Sequence, residues 1–510
     1  MQKIPFAQTG AFQKIFLDFI SKEPAITPFY DEFPDLEGFE AMITKRKFTH
    51  RKELVSALKN QYINQTIPNG VELLASDDTF CVTTGHQLNI FTGPLYVVFK
   101  IISTINLAKK LKETYPNKNF VPVYWMATED HDFEEIASFS LFGQKHTWET
   151  TQTGAVGKMD PRELASVLDA LKEKPSIFEK AYLNNTTLTA AVREYMHALF
   201  GTEELVCIDG DDKILKTLFQ DILTDDLLNH SAETEVAKTS AKLEEVGYKA
   251  QIHARNINLF YLKDNIRERI EKDGDVYNVI NTDISFSKTE IKEMIASEPE
   301  SFSPNVVLRP IYQERILPNL AYIGGPSELA YWLQLKGIFD KFEVSFPILC
   351  PRNFGLIVNS ATKKRIDKLG IEVTDLFQDE VSLRRGFVEK NSSNSLELSE
   401  QIFKINDIYK EILKKAEAID PTLKSVVEAD KTKNQNNLEN LEKRLKKAEE
   451  KNFETSVSQL LNLKEKLFPG DGLQERKENF LNFYINDPEF LNKVSKEFDP
   501  LEFSFNIINV

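Results

Sequence analysis

Between Thr79 and Phe99 the chain runs for 21 residues without an aspartate, glutamate, lysine or arginine, and no other feature constrains its fold as much. A run of that length is long enough for a membrane helix. Gly85-His86-Gln87, Asn89 and Thr92-Gly93-Pro94 break it with turn residues, so it reads instead as a buried strand, a loop and the start of a helix. The strand is Thr79-Phe80-Cys81-Val82-Thr83, apolar and β-branched as in a parallel sheet covered on both faces. The loop then runs from Thr84 to Gly93, and Pro94 fits the first helical turn, where its missing N–H costs nothing. Leu95, Val98, Phe99, Ile102, Ile105 and Leu107 continue at helical spacing until Tyr115-Pro116 stops them. A second strand, Phe120 to Met126, follows. This order makes a right-handed βαβ unit with both loops at the carboxyl edge of the sheet, where open α/β folds bind ligands. The expected fold class is α/β.

The rest of the chain extends that reading. Residues 1–75 and 160–230 look mainly helical, the latter broken by a strand at Leu205-Val206-Cys207-Ile208. Between about 240 and 300 the texture changes to short strands at Tyr248 to His253, Asn258 to Leu262 and Val276 to Ile280, with Ser287-Lys288-Thr289-Glu290 as a capping box. The α/β pattern returns at Leu308-Arg309-Pro310-Ile311 and at Phe346 to Arg352. Further on, Leu398, Ile402, Ile405, Tyr409, Ile412, Ala416 and Ile419 repeat at 4-3-4-3-4-3, an apolar seam of heptad type. Asp420-Pro421 opens a new helix, in which Leu438, Leu441, Leu445 and Ala448 repeat the seam. The expected organisation is a core over residues 1–370 with insertions near 140–200 and 240–300. A helical hairpin over 371–469 follows, and a segment 470–510 packs back on the core. Apolar surface left on one hairpin implies self-association through it.

Net charge is −15, from 63 lysines and arginines against 78 aspartates and glutamates, which argues against a broad nucleic-acid surface. Three cysteines far apart, Cys81, Cys207 and Cys350, suit a reducing cytoplasm and read as inert packing. No secretory leader is legible at Met1-Gln2-Lys3, no CxxC pair suggests zinc, and neither a membrane span nor a metal site is expected.

Three polar constellations carry chemistry. Thr83-Thr84-Gly85-His86-Gln87 lies between strand and helix, where backbone N–H groups can hold an anionic oxygen and His86 can donate to it. The competing structural reading is a turn glycine followed by a packed histidine. Glu129-Asp130-His131-Asp132 sets three carboxylates around one imidazole, able to hold an ammonium or act as a general base. An acidic helix start explains it equally well. In the third group, Gly324-Gly325-Pro326-Ser327-Glu328 enters a helix, and Glu328 can hold an amine or hydroxyl. Arg309 or Arg352 can fork onto a carboxylate. Gly324-Gly325 can also be a plain chain turn, and Tyr331-Trp332 can be core packing.

Together these strings resemble the bacillithiol-biosynthesis cysteine-adding enzymes. The resemblance rests on Thr84-Gly85-His86-Gln87 with Thr92-Gly93-Pro94, Thr128 to Asp132, Ser303-Pro304-Asn305 running into Leu308-Arg309-Pro310, Gly324 to Glu328 with Tyr331-Trp332, Pro351-Arg352, and Leu473-Gln474-Glu475-Arg476. Ser327 stands where glycine is expected in many relatives. The resemblance implies a Rossmann-like core similar to class I nucleotidyltransferases, connective insertions and a coiled-coil domain that dimerises. It also implies ligation of cysteine to glucosaminyl malate, with a nucleotide (ATP or ADP) suggested by analogy with the core. In that frame His86, Asp130, His131 and Asp132 are the expected catalytic groups. Thr84, Gly85, Gln87, Arg309, Gln313, Gly324, Gly325, Glu328, Tyr331 and Arg352 are the expected substrate contacts. The rival expectations are a nucleotidyltransferase acting on another small acid or on tRNA, and a non-catalytic coiled-coil scaffold.

Overall fold

The computed structural model describes residues 2–510. At its centre five strands form a wholly parallel sheet: β1 (Thr79–His86), β2 (Asn119–Met126), β3 (Val206–Asp209), β4 (Asn319–Gly324) and β5 (Ile348–Pro351). Their spatial order is β5-β4-β1-β2-β3, the 3-2-1-4-5 arrangement of a Rossmann-like sheet read from its other edge. Chain direction across the sheet therefore reverses between β1 and β4, and a crevice opens there beyond the carboxyl ends of both strands.

The strands form because their side chains are buried on both faces. Phe80 and Val82 of β1 join Phe120, Leu320, Ala321, Ile323, Ile348 and Cys350 in one core cluster. Helix α1 (Leu95–Thr114) covers this cluster with Leu107, Ala108 and Leu111. It is buried almost all round, including Lys100, Ser103 and Thr104, so it is a core helix rather than a surface one. All three cysteines are buried, and burial raises their thiol pKa values, that of Cys207 to about 12.

The expected loop after Thr83 begins later than its composition suggests. Thr84, Gly85 and His86 stay in β1, in register with Tyr124, Trp125 and Met126. Their backbone groups serve the sheet, so this stretch is not a free nest of N–H donors. The true connection is Gln87–Pro94, with Phe91, Thr92 and Gly93 all at positive φ. A Cβ on Gly93 would lie 2.6 Å from Asn89 Cβ, which fixes glycine there. Asn479 Nδ2 holds the turn by donating to Phe91 O and Gly93 O at 2.8 and 2.6 Å. Pro94 is the N-cap of α1 rather than its first residue.

An antiparallel insertion of five strands lies in the order Ser285–Ser287, Val276–Val279, Ile266–Asp273, Leu259–Lys263, Phe302–Pro304. The capping box at Ser287 and Glu290 forms as expected. Tyr248 to His253 is irregular instead of a strand: Gln334 Oε1 accepts from the N–H groups of Gln251 and Ile252 there, in place of a ladder partner. Leu308 to Ile311 opens helix α2 (Arg309–Ile316), and helix α3 (Pro326–Gln334) starts directly after Gly324-Gly325.

By compactness the chain divides into two units, one running to Leu356 and taking up Gln474–Ile508, the other Ile357–Leu473. The second unit contains an antiparallel pair, α4 (Ser399–Ile419) and α5 (Lys424–Asn452), joined at Asp420, whose carboxylate accepts from Thr422 N. Asn434 Nδ2 donates to Tyr409 Oη across the pair at 2.6 Å. The α5 seam is not the expected leucine row. Leu438 is half-buried, but Leu441, Leu445 and Ala448 are exposed, because α5 turns Asn434, Glu442 and Lys446 inward instead. Ile412 and Ile419 of the α4 row are exposed too. Among the described residues no helix is long and apolar enough to cross a membrane.

Candidate active site

A cavity of about 460 Å3 occupies the crevice between β1 and β4. Gly85, His86 and Gln87 line it from the end of β1, and Gly325, Ser327, Glu328 and Tyr331 from the start of α3. Arg309, Arg352 and Arg476 bring positive charge. A second cavity of about 540 Å3 is lined by Glu129 to Asp132 and by residues of the insertion. The two share Gln87, Trp125, Ala127, Glu135, Val306 and Arg309, so they are adjoining lobes of one cleft. Gln87 ties the turns together: its amide donates to Asp130 Oδ2 at 2.8 Å and to Glu135.

In the first lobe His86 stands edge-on to Tyr96, with ring centres 5.3 Å apart. Burial, reinforced by the charges of Lys100 and Arg352, lowers its pKa to about 3. The ring is neutral at physiological pH, and among the described residues its buried Nε2 has no partner. Gly85 forms a flat wall beside it. A Cβ there would meet Trp125, Tyr322 Oη and Arg309 at 3.6–3.7 Å, ordinary contact distances, so the fold tolerates a methyl that the cavity would feel.

Glu328 is fully engaged. It accepts from Tyr322 Oη at 2.6 Å, from Gly325 N at 2.8 Å and from Lys100 Nζ at 2.9 Å on each oxygen. Burial pushes its pKa up, but Lys100, Tyr322 and the Gly325 N–H outweigh that and hold it below the usual carboxylate range. Lys100 also donates to Gly85 O. This pair locks α1 to the strand ends and to α3. Glu328 therefore shapes the lobe without a free acceptor.

Arg309 sits where the lobes meet, with Nη1 3.0 Å from Gln313 Oε1 and its guanidinium near the rings of Trp125 and Tyr322. Arg352 is buried. It donates to Glu475 and to Asn353 O and lies 3.9 Å over the Phe354 ring, so much of its fork is used internally.

In the second lobe Asp130 accepts from Gln87 and from the His131 and Asp132 N–H groups. Burial pushes its carboxyl up, but hydrogen bonds from His131 and Gln87 and the charge of Arg267 hold it well below the usual range. It stays ionised. Arg267 Nη1 lies 2.7 Å from His131 Nδ1. Arginine has only donors, so this nitrogen offers its lone pair and the ring proton sits on Nε2. Asp132 is exposed. Glu129 pairs with the fully buried Lys216.

Of the expected contacts, Gly85, Gln87, Arg309, Gly325, Glu328, Tyr331 and Arg352 line the first lobe with His86, while Asp130, His131 and Asp132 line the second. Three lie behind the wall. Thr84 Oγ1 donates to Ile323 O at 2.8 Å, joining β1 to β4. Gln313 is fully buried between Arg309 and Glu314. Gly324 is packed against Leu329, where a Cβ would clash at 2.5 Å. Trp332 is core, whereas Tyr331 faces the cavity. Sequence reasoning missed Tyr96, Lys100, Trp125 and Arg476 as parts of this site. Lys100 was marked only by ending the uncharged run, and Arg476 by closing the Leu473 to Arg476 string.

A family model described as "Bacillithiol biosynthesis BshC, N-terminal Rossmann-like domain" matches residues 1–353. A second, "Bacillithiol biosynthesis BshC, C-terminal coiled-coil domain", matches residues 355–510. The chain is 39% identical to a protein of Cytophaga hutchinsonii over 99% of its own length and 98% of the relative's. It is 41% identical to one of Flavobacterium psychrophilum with the same shares, and 30% identical to one of Salinibacter ruber over 95% and 93%. All three carry the name "Putative cysteine ligase BshC".

Proposed function

Because the chain belongs to the BshC family of bacillithiol biosynthesis, we propose that it is a cysteine ligase. It joins the cysteine carboxyl to the amine of glucosaminyl malate in the last step of bacillithiol synthesis. The observation that carries this reading is the two-lobed cleft, in which a neutral imidazole and an ionised acidic turn flank one shared wall.

Amide formation needs an activated carboxyl and an amine that has lost a proton. His86, whose neutral ring lines the cavity, donates to the oxygen of the activated acyl or phosphoryl group. Gly85 lets that group lie close. Asp130 orients the incoming ammonium and the exposed Asp132 takes its proton, while His131, whose Nδ1 accepts from Arg267, holds that guanidinium in place. Arg309 holds a carboxylate at the junction. The activating group is a nucleotide, ATP or ADP, by the analogy with class I nucleotidyltransferases that the family resemblance implies. The charges of Arg309, Arg352 and Arg476 suit its phosphates, and it supplies the leaving group on the cysteine carboxyl.

The protein acts as a cytoplasmic homodimer joined through the coiled coil, supported by exposed Phe403, Ile408 and Ile419 on α4 and Val426, Leu441 and Leu445 on α5. Its acidity speaks against nucleic-acid partners, tRNA included. Incubation of the purified protein with cysteine, glucosaminyl malate and each nucleotide tests the reading. The expected product has the summed mass of both substrates less one water; its absence with every nucleotide overturns the proposal.

A further inference from the structure

The far wall of the second lobe belongs to the antiparallel insertion, and it carries three arginines, of which only Arg267 has a role so far. Resting on the function proposed above, we propose that this wall is the carboxylate receptor for the amine substrate. Arg255, Arg267 and Arg269 take its carboxylates while its ammonium faces Asp130 and Asp132.

Strand geometry sets up the wall. In Ile266–Asp273 alternate residues point the same way, so Arg267 and Arg269 share one face and Glu268 takes the other. The register puts Phe260 opposite Arg269, and opposed residues of an antiparallel pair also share a face. Phe260, Arg267 and Arg269 all line the lobe.

The arginines are held to different degrees. Arg267 is fixed: it lies 4.0 Å over the Phe260 ring, donates to Ser303 Oγ at 3.2 Å and contacts His131. Arg269 has one ion pair, to Glu271 at 3.4 Å, and is half-buried. Arg255 is exposed, and among the described residues its guanidinium has no partner. Its backbone is nevertheless rigidly placed. Asn258 Oδ1 accepts from Arg255 N at 3.0 Å and Asn258 Nδ2 donates to Arg255 O at 2.7 Å. Asn258 is itself gripped by the buried Asp226 at 2.6 and 3.0 Å. Two lightly used forks thus face the lobe from fixed backbone, the arrangement that recognises carboxylates bidentately.

The opposite wall is acidic, so the lobe is bipolar. Asp130 and Asp132 disfavour a polyphosphate, and the lobe fits a molecule with an ammonium at one end and carboxylates at the other. A volume of about 540 Å3 admits a substituted sugar. Such a ligand presents its amine toward the Asp130 turn, next to Gln87 on the wall shared with the first lobe.

The test is the Arg255→Ala/Arg269→Ala variant, with the single Arg255→Ala as a milder second variant at an exposed position. KM for glucosaminyl malate rises about tenfold or more in the double variant, while KM for cysteine stays within about twofold and the melting temperature is kept. An unchanged KM for glucosaminyl malate, or an equal rise for cysteine, overturns the assignment. L-malate titrated calorimetrically into the wild type and both variants reads the wall without catalysis. The wild type binds and the double variant loses most of that affinity; equal affinities, or no binding by the wild type, overturn it. If the wild type makes no amide product, the ligase reading fails by itself, and the L-malate titration still decides the lobe.

Discussion

His86 and Gly85 occupy the last two positions of β1, and each makes a distinct prediction. Among the described residues the buried Nε2 of His86 has no partner, so His86→Ala removes no structural hydrogen bond from that atom. Its pKa near 3 means that any acid limb in the rate profile between pH 5 and 8 comes from another group, and the limb keeps its midpoint in His86→Gln. Gly85→Ala is expected to keep the wild-type circular dichroism and melt within a few degrees of it. Its kcat/KM falls about tenfold, since a methyl at ordinary contact distance takes space only from the cavity. Asp209 at the end of β3 behaves differently. Burial, with the neighbouring Asp211, raises its pKa to about 7 from an ordinary 3.8, against the hydrogen bonds from Thr128 and Asp211 N. Between those values the unfolded chain is ionised while the folded chain stays protonated. Its contribution is therefore most favourable below about pH 4 and is lost as pH rises through about 7. Asp209→Asn keeps an acceptor for Thr128 and removes the charge. Its melting temperature should gain on the wild type as pH goes from 5 to 8, and parallel curves would refute the assignment.

At the scale of elements, the Lys100–Glu328 pair fastens α1, α3 and the end of β1 around the crevice. Lys100→Met leaves a buried carboxylate without its cation and should cost about 3 kcal/mol or more in urea unfolding. Adding Glu328→Gln should recover part of that loss, because the stranded charge is gone; a double variant no better than the single would contradict the pairing. This network also shows where sequence reading stopped. β1, α1 and β2 were legible because an uncharged run with β-branched residues and helical spacing admits few alternatives. The continuation of β1 through Gly85-His86 was not, because glycine and polar residues signal a turn locally, whereas pairing with β2 is a nonlocal fact. Glu328 was recognisable as important, but its three internal partners include Lys100, 228 residues away in the chain. The leucine row of α5 failed for a related reason. Spacing locates an apolar stripe, but whether the neighbouring helix covers it depends on how α5 is rotated.

For the whole molecule, the sheet order decides the position of the site. Reversal between β1 and β4 opens a crevice that the His86 strand end, the Asp130 turn, α2, α3 and the Arg476 segment all reach. The motifs were visible in the sequence, and the likeness of their combination to a known family named the chemistry; their convergence needed coordinates. The proposed dimerisation is tested at this scale as well. Replacing Phe403 and Leu441 together with aspartate should shift the protein from dimer to monomer in sedimentation without loss of helix content, and an unchanged sedimentation coefficient would rule out the exposed hairpin face as the interface. The central claim, that both lobes act on one reaction, is tested most directly by the initial rate of amide product formation in His86→Ala beside the wild type. The account predicts a fall of about a hundredfold or more with the circular dichroism spectrum intact. A folded His86→Ala protein making product at the wild-type rate would contradict it.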